Sequence, residues 1–83
     1  MTSNQNSKPA NQLTKKQAKT FSQFKRKLAD NLPTFRIEWV LPVKANIIVL
    51  HLESDKRTYR NSIKASKLAT EVEDETGVTI IFR

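Results

Sequence analysis

Cationic side chains cluster around the start of the second predicted helix, and they carry the best-defined chemistry in the sequence. Arg57, Arg60, Lys64 and Lys67 follow one another within eleven residues. Guanidinium and ammonium groups beside a helix N-terminus, where backbone amides are unpaired, suit a phosphate. The charges also oppose the helix dipole, which favours acids at the start and bases at the end by about 0.3–1 kcal/mol per charge. The pattern therefore predicts an anion-binding site at this helix start.

The carboxylates at the far end of the same helix offer an intramolecular alternative. Four acidic residues lie in its last turns: Glu71, Glu73, Asp74 and Glu75. If both helices pack on one face of a sheet, these carboxylates could pair with Lys15, Lys19 or Arg26 of the first helix. Four acids do not neutralise seven bases, however, and the cations at the start of the second helix would keep no partner. Both interpretations stay open, and anion binding is the favoured one.

Three cations of the first helix and one tyrosine complete the set of candidate binding residues. Lys15, Lys19 and Arg26 share one polar stripe of the first predicted helix. We expect them to add long-range attraction without adding specificity. Tyr59 lies inside the basic segment formed by residues 56–60, where an aromatic ring could stack on a base. Its ring could equally pack beneath the helix, and the two alternatives are even.

Residue types that support catalysis or cofactor binding are scarce. His51 is the only histidine, and its place on an apolar strand favours a packed or surface role. The absence of cysteine excludes thiolate zinc sites and cysteine nucleophiles, and one glycine cannot form a phosphate-binding loop. Glu71 and Glu75 could hold a hard cation, but simple exposure is the favoured explanation. The sequence therefore predicts no enzymatic activity, metal site, cofactor or small-molecule substrate.

Charge and hydropathy indicate the class of partner. The 83 residues include 15 lysine and arginine residues against 8 aspartate and glutamate residues, a formal net charge of +7. We therefore predict a small basic protein that binds DNA or RNA mainly through backbone phosphates. The alternative is a protein-interaction module, such as a regulator or inhibitor that docks on an acidic protein surface. No apolar stretch is long enough for a secretory signal or a membrane span, which predicts a cytoplasmic protein without a membrane partner.

The first helix has the clearest start signal in the sequence. The segment Thr14-Lys15-Lys16-Gln17 fits a capping box, in which a threonine hydroxyl and a glutamine side chain satisfy each other's backbone amides. Apolar residues then recur at helical spacing: Phe21, Phe24, Leu28 and Leu32. Pro33 disfavours helical geometry at the residue before it, so we expect the helix to end near Asp30 or Asn31.

Strand signals occupy the middle and the end of the chain. Alternation predicts that one face of the first strand is buried, through Phe35, Ile37, Trp39 and Leu41. Pro42 is expected to stop this strand. Residues 47–53 are apolar on both faces, as in a central strand, and residues 58–60 read either as a short strand or as the approach to the second helix. That helix is predicted from about residue 61 to Thr76, with Gly77 as a left-handed cap before a last strand over residues 78–83.

These elements predict one small α+β domain over residues 13–83. Its two helices pack on one face of a small, mostly antiparallel sheet in the order α-β-β-(β)-α-β. Residues 1–12 are almost wholly polar, which predicts a disordered tail. The last strand is expected to lie at an edge, where it could pair with a second copy and form a homodimer.

Two resemblances follow from the same elements. The segment Ser62-Ile63-Lys64-Ala65-Ser66-Lys67 is similar to the lysine-bearing helix start with which double-stranded RNA-binding domains contact phosphates. The segment from Lys67 to Phe82, a helix closing through Thr76-Gly77-Val78 into a strand, looks like part of a type-II KH domain. The chain lacks the glycine-rich loops of both families, so we assign neither family and transfer no residue roles.

Overall fold

The computed structural model describes residues 13–83, which form two helices and one three-stranded sheet. The elements in chain order are α1 (Lys15–Asn31), β1 (Arg36–Lys44), β2 (Ile47–Glu53), α2 (Tyr59–Thr76) and β3 (Thr79–Phe82). The α+β class and the α-β-β-α-β order predicted from the sequence are confirmed. The predicted polar tail, residues 1–12, lies outside the described residues.

The central strand of the sheet is β2, with β1 on one side and β3 on the other. A turn at residues 45–46 joins β1 to β2 as an antiparallel hairpin. Helix α2 then crosses over, and β3 pairs with β2 in parallel. The sheet is therefore mixed, with one antiparallel and one parallel pair, where the sequence analysis expected mostly antiparallel pairing. The edge position predicted for the last strand is confirmed within residues 13–83.

Two predicted boundaries differ from the structure. Strand β1 continues through Pro42, which pairs with Ile48, so the prediction that Pro42 stops the strand is wrong. An edge strand tolerates proline, because the missing N–H can face away from its neighbour. Helix α2 begins at Tyr59 rather than near residue 61, because the Thr58 side chain accepts a hydrogen bond from the Asn61 amide (3.1 Å) and caps the helix. Residues 58–60 are thus a cap and a first helical turn, and no strand forms there.

Local capping fixes the start of α1 and the end of α2, as the sequence predicts. The Thr14 hydroxyl accepts from the Gln17 amide (3.1 Å), and the Gln17 side chain accepts from the Thr14 amide (2.8 Å). Gln17 also donates to the Lys44 carbonyl (2.7 Å), which ties the start of α1 to the end of β1. Gly77 adopts a left-handed conformation (φ 78°) at the end of α2, which glycine accommodates without steric cost.

The hydrophobic core lies entirely on one side of the sheet. Alternate residues of β2 (Ile48, Leu50 and Leu52) join a buried cluster with apolar residues of both helices. Both helices therefore cover this side, which we call the inner face.

A β-bulge at Glu38 changes which residues of β1 point inward. Ile37 pairs with Leu52, but Trp39, two residues later, pairs with the very next residue of β2. Trp39 and Leu41 consequently point away from the helices and are 42% and 40% exposed. The prediction that they belong to the buried face is wrong, because a bulge reverses the alternation of the strand.

Candidate nucleic-acid interface

One exposed face of α2 carries three of the predicted binding residues. Arg60, Lys64 and Lys67 are spaced four and three residues apart, which places them on the same side of a helix. At a rise of about 1.5 Å per residue, they span roughly 10 Å along the helix axis. We call these three residues the α2 cationic stripe. Lys64 and Lys67 also line a shallow cleft of about 200 Å³ against the end of α1.

The α2 cationic stripe is not neutralised by the acids of the chain. Within residues 13–83, none of its three cations has a carboxylate within 4.0 Å. Glu71, the nearest acid along this face, instead contacts Lys27 of α1 (3.4 Å). Among the described residues, the one ion pair between the two helices thus uses Lys27, and none of the predicted partners, Lys15, Lys19 and Arg26, pairs with the acidic end of α2. The stripe keeps its positive charge.

Arg57 lies on the opposite flank of α2 from the stripe. Its guanidinium donates to the Leu52 carbonyl at the end of β2 (3.1 Å). The side chain lines a small crevice of about 100 Å³ with Ser62 and Phe82, whereas the cleft beside Lys64 opens towards α1. The structure thus separates Arg57 from the stripe, although all four cations belong to one short segment of sequence. No carboxylate of the described residues lies within 4.0 Å of Arg57 either.

Tyr59, the first residue of α2, is directed into solvent. Its side chain is 83% exposed, which resolves the two alternatives left by the sequence in favour of an exposed ring. The ring borders an open surface that also includes Ile63 and Lys67. An aromatic ring, an aliphatic side chain and a cation thus lie together on the solvent side of this helix.

The three predicted auxiliary cations of α1 lie at different distances from the stripe along the helix pair. The helices run antiparallel, since Lys27 near the end of α1 contacts Glu71 while Lys16 near its start lies against Gly77. Arg26 is therefore at the same end of the helix pair as the stripe. Lys15 and Lys19 are in the first half of α1, roughly 16 Å and roughly 10 Å from Arg26 along the axis. They are at the same end of the helix pair as the acidic residues of α2, but neither forms an ion pair within the described residues.

Sequence reasoning missed a second polar cluster, which lies on the side of the sheet away from the helices. His51 contacts the Arg83 carbonyl through Nδ1 (2.7 Å) and a Glu53 carboxylate oxygen through Nε2 (2.6 Å). Its ring also stacks on Trp39, with 5.8 Å between ring centroids. The spacing of His51 and Glu53, which places both on one face of a strand, was the available signal.

The hydrogen bonds of His51 favour its protonated form. Both partners are acceptors, and only imidazolium can donate from both ring nitrogens. The Arg83 carbonyl, as the larger cause, and the Glu53 carboxylate raise the pKa of His51 above its ordinary 6.5. The hydrogen bond from His51 lowers the pKa of Glu53 below its ordinary 4.5. The cluster ties the centre of the sheet to the end of β3.

The described part of the chain offers neither a metal site nor a membrane-spanning helix. Residues 13–83 contain no group of three histidine, cysteine, aspartate or glutamate side chains placed to hold a metal ion. Neither α1 nor α2 is long and apolar enough to cross a bilayer. Comparisons with protein-family models, curated proteins and solved structures gave no match for this chain.

Proposed function

We propose that this chain is a small cytoplasmic protein that binds nucleic acid, DNA or RNA, through backbone phosphates and performs no catalysis. The observation that carries the proposal is the α2 cationic stripe, Arg60, Lys64 and Lys67, exposed on one helix face with no carboxylate of residues 13–83 within 4.0 Å. Local helix stability would favour the opposite order of charges. An external anion provides a reason for these residues to be there.

The dimensions of the stripe fit a polyanion better than a single anion. Its length of roughly 10 Å corresponds to about three nucleotides at 3.4 Å of axial rise per strand. Arg57 would meet the phosphates from the other flank of α2, and Arg26 would add attraction from the adjacent end of α1. Lys15 and Lys19 would contribute only long-range attraction. Such contacts position a protein on its target without reading sequence, so the proposal includes weak sequence preference.

Tyr59 would add a contact that depends on the form of the nucleic acid. A ring exposed to 83% beside Lys67 has the surroundings of a stacking residue in a single-strand binding surface. Stacking on an unpaired base contributes about 1–3 kcal/mol, whereas bases inside a duplex are not accessible to it. A Tyr59→Ala variant is therefore expected to lose more affinity for single strands than for duplexes.

Fluorescence anisotropy of labelled single-stranded and duplex oligonucleotides across a salt series tests the proposal. With about four phosphates neutralised, the logarithm of the association constant should fall against the logarithm of salt concentration with a slope of about −3 to −4. Replacing Lys64 and Lys67 by glutamine should reduce the steepness of this slope by about two and lower affinity on the order of 30-fold at 0.1 M salt.

A matched control replaces two lysines of α1 that lie far from the stripe. Lys15→Gln with Lys19→Gln removes the same charge from the opposite end of the helix pair. This double variant should lose only a few-fold in affinity for the oligonucleotide. Equal losses of affinity in the two double variants would show that binding depends on net charge alone. They would contradict the assignment of the binding site to the α2 cationic stripe. The melting temperature of the Lys64/Lys67 variant should be nearly unchanged, because both side chains are exposed and neither has a carboxylate of the described residues within 4.0 Å.

A docking role on an acidic protein surface would use the same cations. Pull-down with and without nuclease treatment separates the two functions, because a protein partner that survives nuclease is not held through nucleic acid. Retention of one such partner, together with no affinity for any oligonucleotide, would replace our proposal by the docking role.

A further inference from the structure

The side of the sheet away from the helices, which we call the outer face, is apolar in its middle and uncovered within the described residues. Strand register aligns three aliphatic side chains across the sheet, Leu41 on β1, Val49 on β2 and Ile81 on β3. Leu41 and Ile81 are each 40% exposed. Val49 is buried between them, yet it is not part of the core formed with the helices.

The surroundings of this aliphatic row resemble a protein interface. Trp39 stacks on His51 along one side of the row, and Ile47 lies along the other. Charged and polar residues form the margin: Arg36, Lys44, Glu53, Thr79 and Arg83. An apolar centre within a polar rim is the usual anatomy of a protein–protein contact.

We propose that the outer face binds the outer face of a second copy of this chain, forming a symmetric dimer with two sheets packed face to face. The row Leu41–Val49–Ile81 would then lie at the centre of a four-layer assembly with the helices outside. This inference does not depend on the proposed nucleic-acid binding, since the α2 cationic stripe is on the opposite side of the sheet.

The size of the outer face fits a weak, specific dimer. Three strands about 4.8 Å apart give a face roughly 14 Å wide, and its length falls from roughly 23 Å along the seven residues of β2 to roughly 13 Å along the four residues of β3. The accessible surface of side chains exceeds their projection, so two such faces approach the total of about 1,000 Å² that a biological interface needs. Sheets pack in this way about 10 Å apart with interdigitated side chains.

The chemistry of the outer face favours a second copy over a nucleic acid. A single-strand platform presents free aromatic faces beside cations. Here the centre is aliphatic, Trp39 already stacks on His51, and both ring nitrogens of His51 have partners within the chain. An identical aliphatic row complements this centre. Edge pairing through β3, the dimer predicted from the sequence, would leave Trp39 and Leu41 uncovered.

Sedimentation equilibrium over a concentration series tests the dimer. We expect the mass to rise from the 9.5 kDa of one chain towards twice that value in the micromolar range. The emission of Trp39, the only tryptophan, should shift to shorter wavelength over the same concentrations as its ring becomes buried. A mass of one chain at about 1 mM, where even weak dimers populate, would overturn the proposal.

Three lysine substitutions locate the contact. Leu41→Lys and Ile81→Lys place a charge in the aliphatic row on different strands, and each should weaken association at least tenfold. Ile63→Lys is the matched control, because Ile63 is 39% exposed but lies on α2, and it should dimerise as the original chain does. Far-ultraviolet circular dichroism and the melting temperature establish that each variant is folded.

The remaining outcomes overturn the proposal in distinct ways. A dimer that survives Leu41→Lys but not Ile81→Lys would show edge pairing through β3. A chain that stays monomeric while a single-stranded oligonucleotide shifts the Trp39 emission would show that nucleic acid occupies the outer face. If Leu41→Lys alone fails to fold, Ile81→Lys together with the Trp39 emission still distinguishes dimer from monomer.

Discussion

The two faces of the sheet are built from neighbouring residues of the same strands, yet they serve different purposes. On β2, Ile48 and Leu50 enter the core beneath the helices, while Val49 and His51 between and beside them point to the outer face. One side is closed by intramolecular packing, and the other offers an apolar row and a polar cluster to the surroundings. Apolar composition alone therefore does not distinguish a core strand from a strand that also carries a contact surface.

The largest expected difference is in the free energy of unfolding, when leucine is replaced by alanine on one face of the sheet or on the other. Leu50→Ala removes a fully buried side chain and should lower the free energy of unfolding by about 2–5 kcal/mol. Leu41→Ala removes a side chain that is already 40% exposed and should cost about 1 kcal/mol or less. Urea denaturation of both variants, at a protein concentration below the micromolar range in which the dimer is expected to form, measures the difference. Equal losses would contradict the assignment of Leu41 to the outer face.

A smaller effect is expected from the polar cluster of the outer face. The folded-state pKa of His51 is raised, so its contribution to stability is complete below about pH 6.5 and is lost as the pH rises through the folded-state pKa. The pKa of Glu53 is lowered, so its contribution is present above about pH 4.5 and is lost as the pH falls through its folded-state value. The cluster should therefore stabilise the fold most between these limits.

Urea denaturation at a series of pH values checks this expectation. The free energy of unfolding should decline from pH 6 to pH 8 in the original chain, and His51→Gln should remove most of that decline. A decline of the same size in His51→Gln would show that another group is responsible.

The smallest effect on stability is expected from deleting the bulge residue of β1, Glu38. A variant that lacks Glu38 would join Ile37 directly to Trp39, which already pairs with the next residue of β2. Regular alternation would then keep Trp39 on the outer face, so the variant should unfold at nearly the original urea concentration. A variant that lacks Val40 would instead turn Leu41 to the inner face and Pro42 to the outer face, up to the second register shift between Pro42 and Lys44, and should be destabilised more. Similar midpoints for the two deletions would contradict the register.

Features decided by neighbouring residues could be predicted from the sequence. The capping box at Thr14 and the left-handed cap at Gly77 depend on contacts within one turn, and both are present. The stripe formed by Arg60, Lys64 and Lys67 also follows from helix periodicity alone. The earlier start of α2 was missed because apolar periodicity is weak in its first turn, where the Thr58 cap decides the boundary.

Features decided by distant residues could not be predicted. The exposure of Trp39 depends on a bulge, which exists only relative to the partner strand, so a strict alternation rule placed this side chain in the core. The separation of Arg57 from the stripe depends on the Leu52 carbonyl, which becomes available where β2 ends. The parallel pairing of β3 depends on the crossover of α2, and sequence spacing does not determine on which side the chain returns.

The mixed sheet also has a consequence for the order in which the molecule folds. The hairpin of β1 and β2 closes over the two residues 45–46 and can form within about 1–10 µs. Pairing of β3 must wait until residues 54–78 have been brought into a closed loop, which costs more chain entropy. Acquisition of β3 is therefore expected to be a late event on the folding pathway. Until β3 has paired, one edge of β2 is open, and an open strand edge is where another chain can pair.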